Sequence, residues 1–267
     1  MLIEWPIFAV ECVLIGGLAG FVYGVFGSGA GLILVPGFYY ILRQFPEVEA
    51  YQMQAAIGTA AMGAMLLGLS AAYMQWRSGY VKAVIVKIML PGLVVGSLVA
   101  IGLLNIISSG GVKHLFSVLI IAVAFWFWSY DQQSDKTKWS LTSSYHHFLT
   151  FLQGLWWFLL GVPVFTVPYL CKCGIRLRLA IGCSTFLGLL LSSMGVVLLI
   201  TTGIFQLRHV YIHGQLGFVN IYIVAFSLIP SAVMAAVGVK IGAKLPKVYL
   251  QKVYAILVFV VGVLMFF

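Results

Sequence analysis

Between Ala50 and Trp76 the chain contains no Asp, Glu, Lys or Arg, and the same holds from His114 to Tyr130, Trp139 to Cys171, Leu179 to Leu207 and His209 to Val239. Each run meets or approaches the roughly 20 apolar residues that a helix needs to cross a bilayer. Hydrocarbon offers the backbone no hydrogen-bond partners, so only helices and closed barrels can span it. Unbroken apolar runs, without the alternation of a barrel strand, select helices. With 63% hydrophobic and 8% charged residues among 267, the chain lacks the polar surface of a water-soluble domain. The N-terminus has no basic region, short apolar core and small-residue cleavage site, so its first apolar run is expected to be retained rather than cleaved as a signal peptide.

Fifteen Lys and Arg against 6 acidic residues give a formal net charge of +9. In a nucleic-acid-binding protein such a surplus gathers on a soluble face. Here the cations fall between apolar runs, where topology signals belong, so no nucleic-acid partner is expected. The bilayer and a small solute are the partners the composition allows, and a positive field draws anions toward the membrane.

The most hydrophilic stretch, DQQSDKTK from Asp131 to Lys138, divides the chain into residues 1–130, a linker 131–138 and residues 139–267. The first part contains ILVPGF, AIGTA, RSGY and MLPGLVVG; the second contains FTVPYL, AIGCS, TTGI and LIPSAVMA in the same order. Pro36 pairs with Pro168, Gly58 with Gly182, Gly79 with Gly203 and Pro91 with Pro230. Two membrane repeats joined by a cytoplasmic linker are expected, an arrangement that in secondary transporters places the substrate site at the repeat interface.

The opening run of each part is too long for one crossing. Trp5 to Leu42 carries only Glu11, and Trp139 to Cys171 carries no charge at all; as continuous helices they would reach roughly 50 Å against a core of about 30 Å. If each run enters and returns as a broken hairpin, only Arg43, Lys113 and Arg208 of the 15 Lys and Arg fall on one face. The positive-inside rule then puts the linker in the cytoplasm and both termini outside, with the repeats inverted. The expected fold is an all-α polytopic bundle of two inverted repeats, each a broken helical hairpin, re-entrant or double-crossing, plus three spanning helices.

The breaks fall at GVFGSGAGLILVP, with Gly27, Ser28, Gly29, Ala30 and Gly31, and at Gly161, Val162 and Pro163. Each interior helical glycine costs about 1 kcal/mol, and what it offers in return is positive φ or close approach. A helix starting at Gly31 turns unpaired N–H groups and the positive end of its dipole toward the protein centre, and one starting near Pro163 does so from the other leaflet. Facing N-termini make an anion site without a buried cation. Candidate substrate-binding residues are therefore Ser28, Gly29, Ala30, Gly31, Gly161 and Val162, with Thr59, Cys183 and Ser184 beside Gly58 and Gly182. Gly27, Pro36, Gly58, Pro163, Pro168 and Gly182 are read as structural breaks. For any single glycine, helix packing of the Gly16, Gly20, Gly24 kind is the competing explanation.

With these motifs in place the chain resembles the TauE/SafE sulfite exporter family over nearly its whole length, on GVFGSGAGLILVP, AIGTA and SGY. The resemblance implies two such repeats and transport of a small sulfur-containing anion such as sulfite or a sulfonate, with no enzyme activity, cofactor or metal. The chain departs from the family pattern with G-S-G-A-G and G-T-A in the first half and G-V-P and G-C-S in the second. A prokaryotic member would lie in the inner membrane, and self-association into a homo-oligomer is left open.

Glu11 is the one acid within an apolar run and so the candidate coupling residue, with an interfacial position as its alternative. Arg176 is read as an entrance charge. A rival class is a haem, metal or thiol-dependent membrane redox protein using His209 and His213, His146 and His147, or Cys171 and Cys173. The first two pairs lie near polar segments, which favours interfacial histidines.

Overall fold

The computed structural model describes residues 5–26, 29–129, 145–160, 165–208, 214–242, 244 and 247–266. The expected linker, 131–138, and the boundary it marks lie outside them. The regular structure among the described residues is helical apart from one hairpin of two-residue strands. Helices α1 (Trp5–Phe26) and α2 (Gly31–Leu42) are followed, after a 3₁₀ turn at Pro46–Tyr51, by α3 (Gln52–Arg77), α4 (Ala83–Ile106) and α5 (Ser109–Ser129). The second part repeats the order with α6 (Tyr145–Leu160), α7 (Thr166–Lys172), α8 (Leu177–Gln206), α9 (Ile221–Gly242) and α10 (Lys247–Phe266). Among the described residues six segments are long and apolar enough to cross a membrane: 5–25, 46–77, 83–106, 109–126, 177–206 and 221–241. This is an all-α polytopic membrane protein.

Each opening run does fold back on itself. Gln44, just beyond α2, donates to Glu11 of α1 at 2.5 Å, and Gly37 of α2 lies against Ile15 of α1, so the two arms are antiparallel. In the second part Tyr169 of α7 reaches His146 of α6 and Phe165 stacks edge-on to Trp156. The arms are unequal. At 1.5 Å per residue α1 is about 33 Å long and α2 about 18 Å, so α2 is too short to cross a core of about 30 Å by itself.

The most extensive helix contacts all join one part to the other: α1 with α9, α4 with α6, α5 with α10 and α3 with α8. Small residues set these seams. Gly16, Gly20 and Gly24 of α1 lie against the backbone at Ser227, Ser231 and Ala235 of α9, so these helices run parallel. Gly92 and Gly96 of α4 similarly meet α6 at Thr150 and Phe151, again parallel. Ser231 Oγ donates to the Gly16 carbonyl at 2.7 Å and Ser97 Oγ to the Gly154 carbonyl at 3.2 Å, the same crossing bond at both seams. In lipid such close backbone approach and interhelical bonding take over the role that hydrophobic burial plays in water. Helices α5 and α10 are antiparallel, with Phe125 on Phe259 and His114 on Phe266.

One expectation is corrected in detail. The charge-free run from His209 to Val239 is not one helix. Helix α8 ends at Gln206, and β1 (Gln215–Leu216) pairs antiparallel with β2 (Val219–Asn220) before α9 begins. Gly214 and Gly217 adopt φ of +74° and +58°, the left-handed values this tight hairpin demands.

Candidate functional site

The first helix break turns on Gly29, whose φ of +97° is open only to glycine at low cost. A Cβ on Gly29 would fall on the hydroxyl of Tyr254 from α10, so the turn also needs glycine for space. Ala30 is already helical at φ −53°, ψ −40°, and α2 begins at Gly31 with no side-chain cap. The first bonds close from Leu32 to the Gly29 carbonyl at 3.1 Å and from Ile33 and Leu34 to the Ala30 carbonyl at 3.0 and 2.8 Å. No acceptor among the described residues takes the N–H of Ala30 or Gly31, although both residues are buried. Buried N–H groups are almost always paired, so these two donors at the positive end of a helix are candidate anion ligands. Ser28 and Gly27 lie outside the described residues. Pro36 stands inside α2, where it removes a hydrogen bond from the returning arm.

The second break is shorter on its returning side. Gly161, Val162 and Pro163 lie outside the described residues, and α7 starts at Thr166, with Pro168 as its third residue. Phe165 before it is flanked by Trp126 of α5 at 5.1 Å and Trp156 of α6 at 6.0 Å between ring centroids. Thr166 is 1% exposed and its hydroxyl has no partner among the described residues. A buried hydroxyl without a partner costs about 1–3 kcal/mol, which makes it a second polar group awaiting a ligand or water. Residue-by-residue reading passed over Thr166 and Tyr254. Aligning FTVPYL with ILVPGF sets Thr166 opposite Leu34, and a hydroxyl replacing leucine beside a helix break was a usable signal; a lone Tyr254 in α10 carried none.

The AIGTA and AIGCS motifs do equivalent work in the two parts. Gly58 of α3 admits the Phe218 carbonyl of the segment entering α9, and Gly182 of α8 admits the Tyr80 carbonyl of the segment entering α4. The next residue then binds that segment. Thr59 Oγ1 accepts the Asn220 N–H at 3.0 Å and donates to the Ala55 carbonyl at 2.7 Å. Cys183 Sγ accepts the Lys82 N–H at 3.4 Å and donates to the Tyr80 carbonyl at 3.8 Å. Both side chains are fully buried clamps between the parts, and Ser184 is buried beside the second.

The remaining residues separate from the breaks. Glu11 is tied to Gln44 near the start of α1, away from Gly29. Arg176 is exposed at the start of α8. His146 is 1% exposed, with Nδ1 at 2.6 Å from the Tyr169 hydroxyl and Nε2 at 3.3 Å from the Ile88 carbonyl, so both ring nitrogens are engaged within the protein. Cys171 and Cys173 are half-buried free thiols at the end of α7. His209 and His213 lie outside the described residues, and among those described no group of three His, Cys, Asp or Glu gathers as metal ligands would.

The family model for the sulfite exporter TauE/SafE matches residues 12–265. The chain belongs to the TauE/SafE family. A protein of Haemophilus influenzae described as a probable membrane transporter protein is 28% identical over 268 residues, 97% of this chain and 98% of the relative. No solved structure matches. As a TauE/SafE member with six apolar helices of spanning length, the chain is a multi-pass protein of a membrane transporter family.

Proposed function

We propose that this chain transports a small sulfur-containing anion, sulfite or a sulfonate, through a site between the two broken hairpins. The observation that carries the reading is the buried start of α2 behind a Gly29 turn, where no acceptor among the described residues takes the N–H of Ala30 or Gly31. Such an end binds an anion by dipole and hydrogen bonds while holding no fixed charge, so release does not have to break a buried ion pair. The Thr166 hydroxyl adds a donor from the second half. The absence of acids from the apolar runs apart from Glu11 keeps repulsion low.

The reading includes inverted repeats, with both termini on the outer face and, in a bacterium, an inner-membrane location. Parallel α1 with α9 and α4 with α6, together with antiparallel α5 with α10, are the directions that inversion requires. Reporter fusions at the C-terminus test the orientation: a periplasmic reporter becomes active and a cytoplasmic one stays silent, and the reverse pattern contradicts it. Counterflow in proteoliposomes tests the function. Sulfite or a small sulfonate is expected to exchange faster than acetate or chloride; equal rates for all four, or no exchange, would overturn the reading.

A further inference from the structure

Away from the helix breaks, the joints between the two parts bring cations together. The segment entering α4 is bound onto α8 by Gly182 and Cys183, and this sets Lys82 of the first part beside the start of α8 in the second. An open pocket of about 600 Å³ results, lined by Gly79, Tyr80, Lys82 and residues 176–179. Lys82, Arg176 and Arg178 are its charged groups, all three exposed, with no acid in the lining and no carboxylate among the described residues paired with them.

The fold does not demand this charge. At the corresponding joint Gly58 and Thr59 hold the segment entering α9 in the same way, but Asn220 stands where Lys82 does, and Gln52 and Gln54 of α3 stand where Arg176 and Arg178 do. The positive-inside rule asks for cations on one face of the membrane; it does not ask three of them to converge on one concavity. Their mutual repulsion is relieved by a bound anion. Two guanidinium forks and an ammonium suit a phosphate group, whose oxygens accept bidentate bonds from Arg and a point charge from Lys. Basic pockets between helices at the membrane surface take lipid phosphates in this manner.

We propose that this pocket is an oxyanion site, separate from the helix breaks, that binds a phosphate group from either an anionic phospholipid or free phosphate in the water. The test uses the full chain, purified and delipidated in a detergent with a neutral head group. Binding of inorganic phosphate and of short-chain phosphatidylglycerol is read from the rise in thermal unfolding midpoint, with phosphatidylcholine of equal chain length as control, and lipid adducts are counted by native mass spectrometry. Arg176→Gln with Arg178→Gln is expected to weaken binding about tenfold or more, while Arg77→Gln with Lys240→Gln, which removes the same charge elsewhere, leaves it unchanged. Saturable binding of phosphatidylglycerol alone identifies the lipid as the source, of phosphate alone the soluble ion, and of both the shared chemistry; each supports the site. Binding of neither, equal binding of phosphatidylcholine, or equal loss in the two double variants overturns it. The substituted side chains are exposed, and unchanged midpoints without ligand confirm that both variants fold.

Discussion

Replacing Gly29 by alanine introduces two separable faults. A non-glycine residue at φ +97° costs about 1–3 kcal/mol in backbone strain. The new methyl also falls on the Tyr254 hydroxyl, with the Cζ and Cε2 atoms behind it at 3.0 and 3.3 Å, an overpacking worth about 1–3 kcal/mol. Together these approach about 2–6 kcal/mol, a large share of the 5–15 kcal/mol that typically holds a domain folded. Tyr254→Phe removes the colliding oxygen and leaves the φ strain untouched. The double variant Gly29→Ala with Tyr254→Phe is therefore expected to recover about 1 kcal/mol or more beyond additivity, but not to reach wild type. Thermal unfolding of the four proteins in detergent, followed by monodispersity on size exclusion, measures the cycle. A Gly29→Ala protein as stable as wild type, or a cycle with no coupling, would refute the description of this turn.

The other expectations are read in the same assay. Thr59→Val leaves the buried Asn220 N–H without an acceptor and should cost about 1–3 kcal/mol, whereas Thr59→Ser should cost far less. Cys183→Val at the matching clamp should cost less than Thr59→Val, because sulfur is the weaker acceptor and its bond to Lys82 N–H is 3.4 Å long. Gly20→Val drives a side chain into the Ser231 backbone and should destabilise the α1–α9 seam by about 3 kcal/mol; the same change at Gly102, which has open space around it, should cost no more than about 1 kcal/mol. Thr166→Val removes a buried hydroxyl with no partner among the described residues, so stability should hold or rise while anion flux falls about tenfold.

Much of this architecture was legible because bilayers are exacting solvents. Long charge-free runs could only be spanning helices, and runs too long for one crossing had to fold back, as α1 with α2 and α6 with α7 do. The glycines at 27–31 marked the first break because the cost of glycine in a helix needs a compensating geometry, and φ +97° at Gly29 supplies it. Repetition of AIGTA as AIGCS showed that two segments share a role but not what the role is. The partners, Asn220 for Thr59 and Lys82 for Cys183, are 161 and 101 residues away, and no local pattern reveals a bond across such a distance. The hairpin before α9 escaped for the opposite reason. Its turn glycines, Gly214 and Gly217, lie in an apolar run without charges, where hydropathy outweighs turn chemistry. The basic pocket was half visible: Arg176 stood out, while its convergence with Lys82 depends on how the two parts pack.

The central claim is that the N–H groups at the start of α2 hold the transported anion. Ala30→Pro tests it most directly, since proline matches the φ of −53° there and deletes one of the two donors. Sulfite uptake into proteoliposomes should fall about tenfold or more, with the unfolding midpoint and size-exclusion profile of wild type. Undiminished uptake by a correctly folded Ala30→Pro protein would contradict the account.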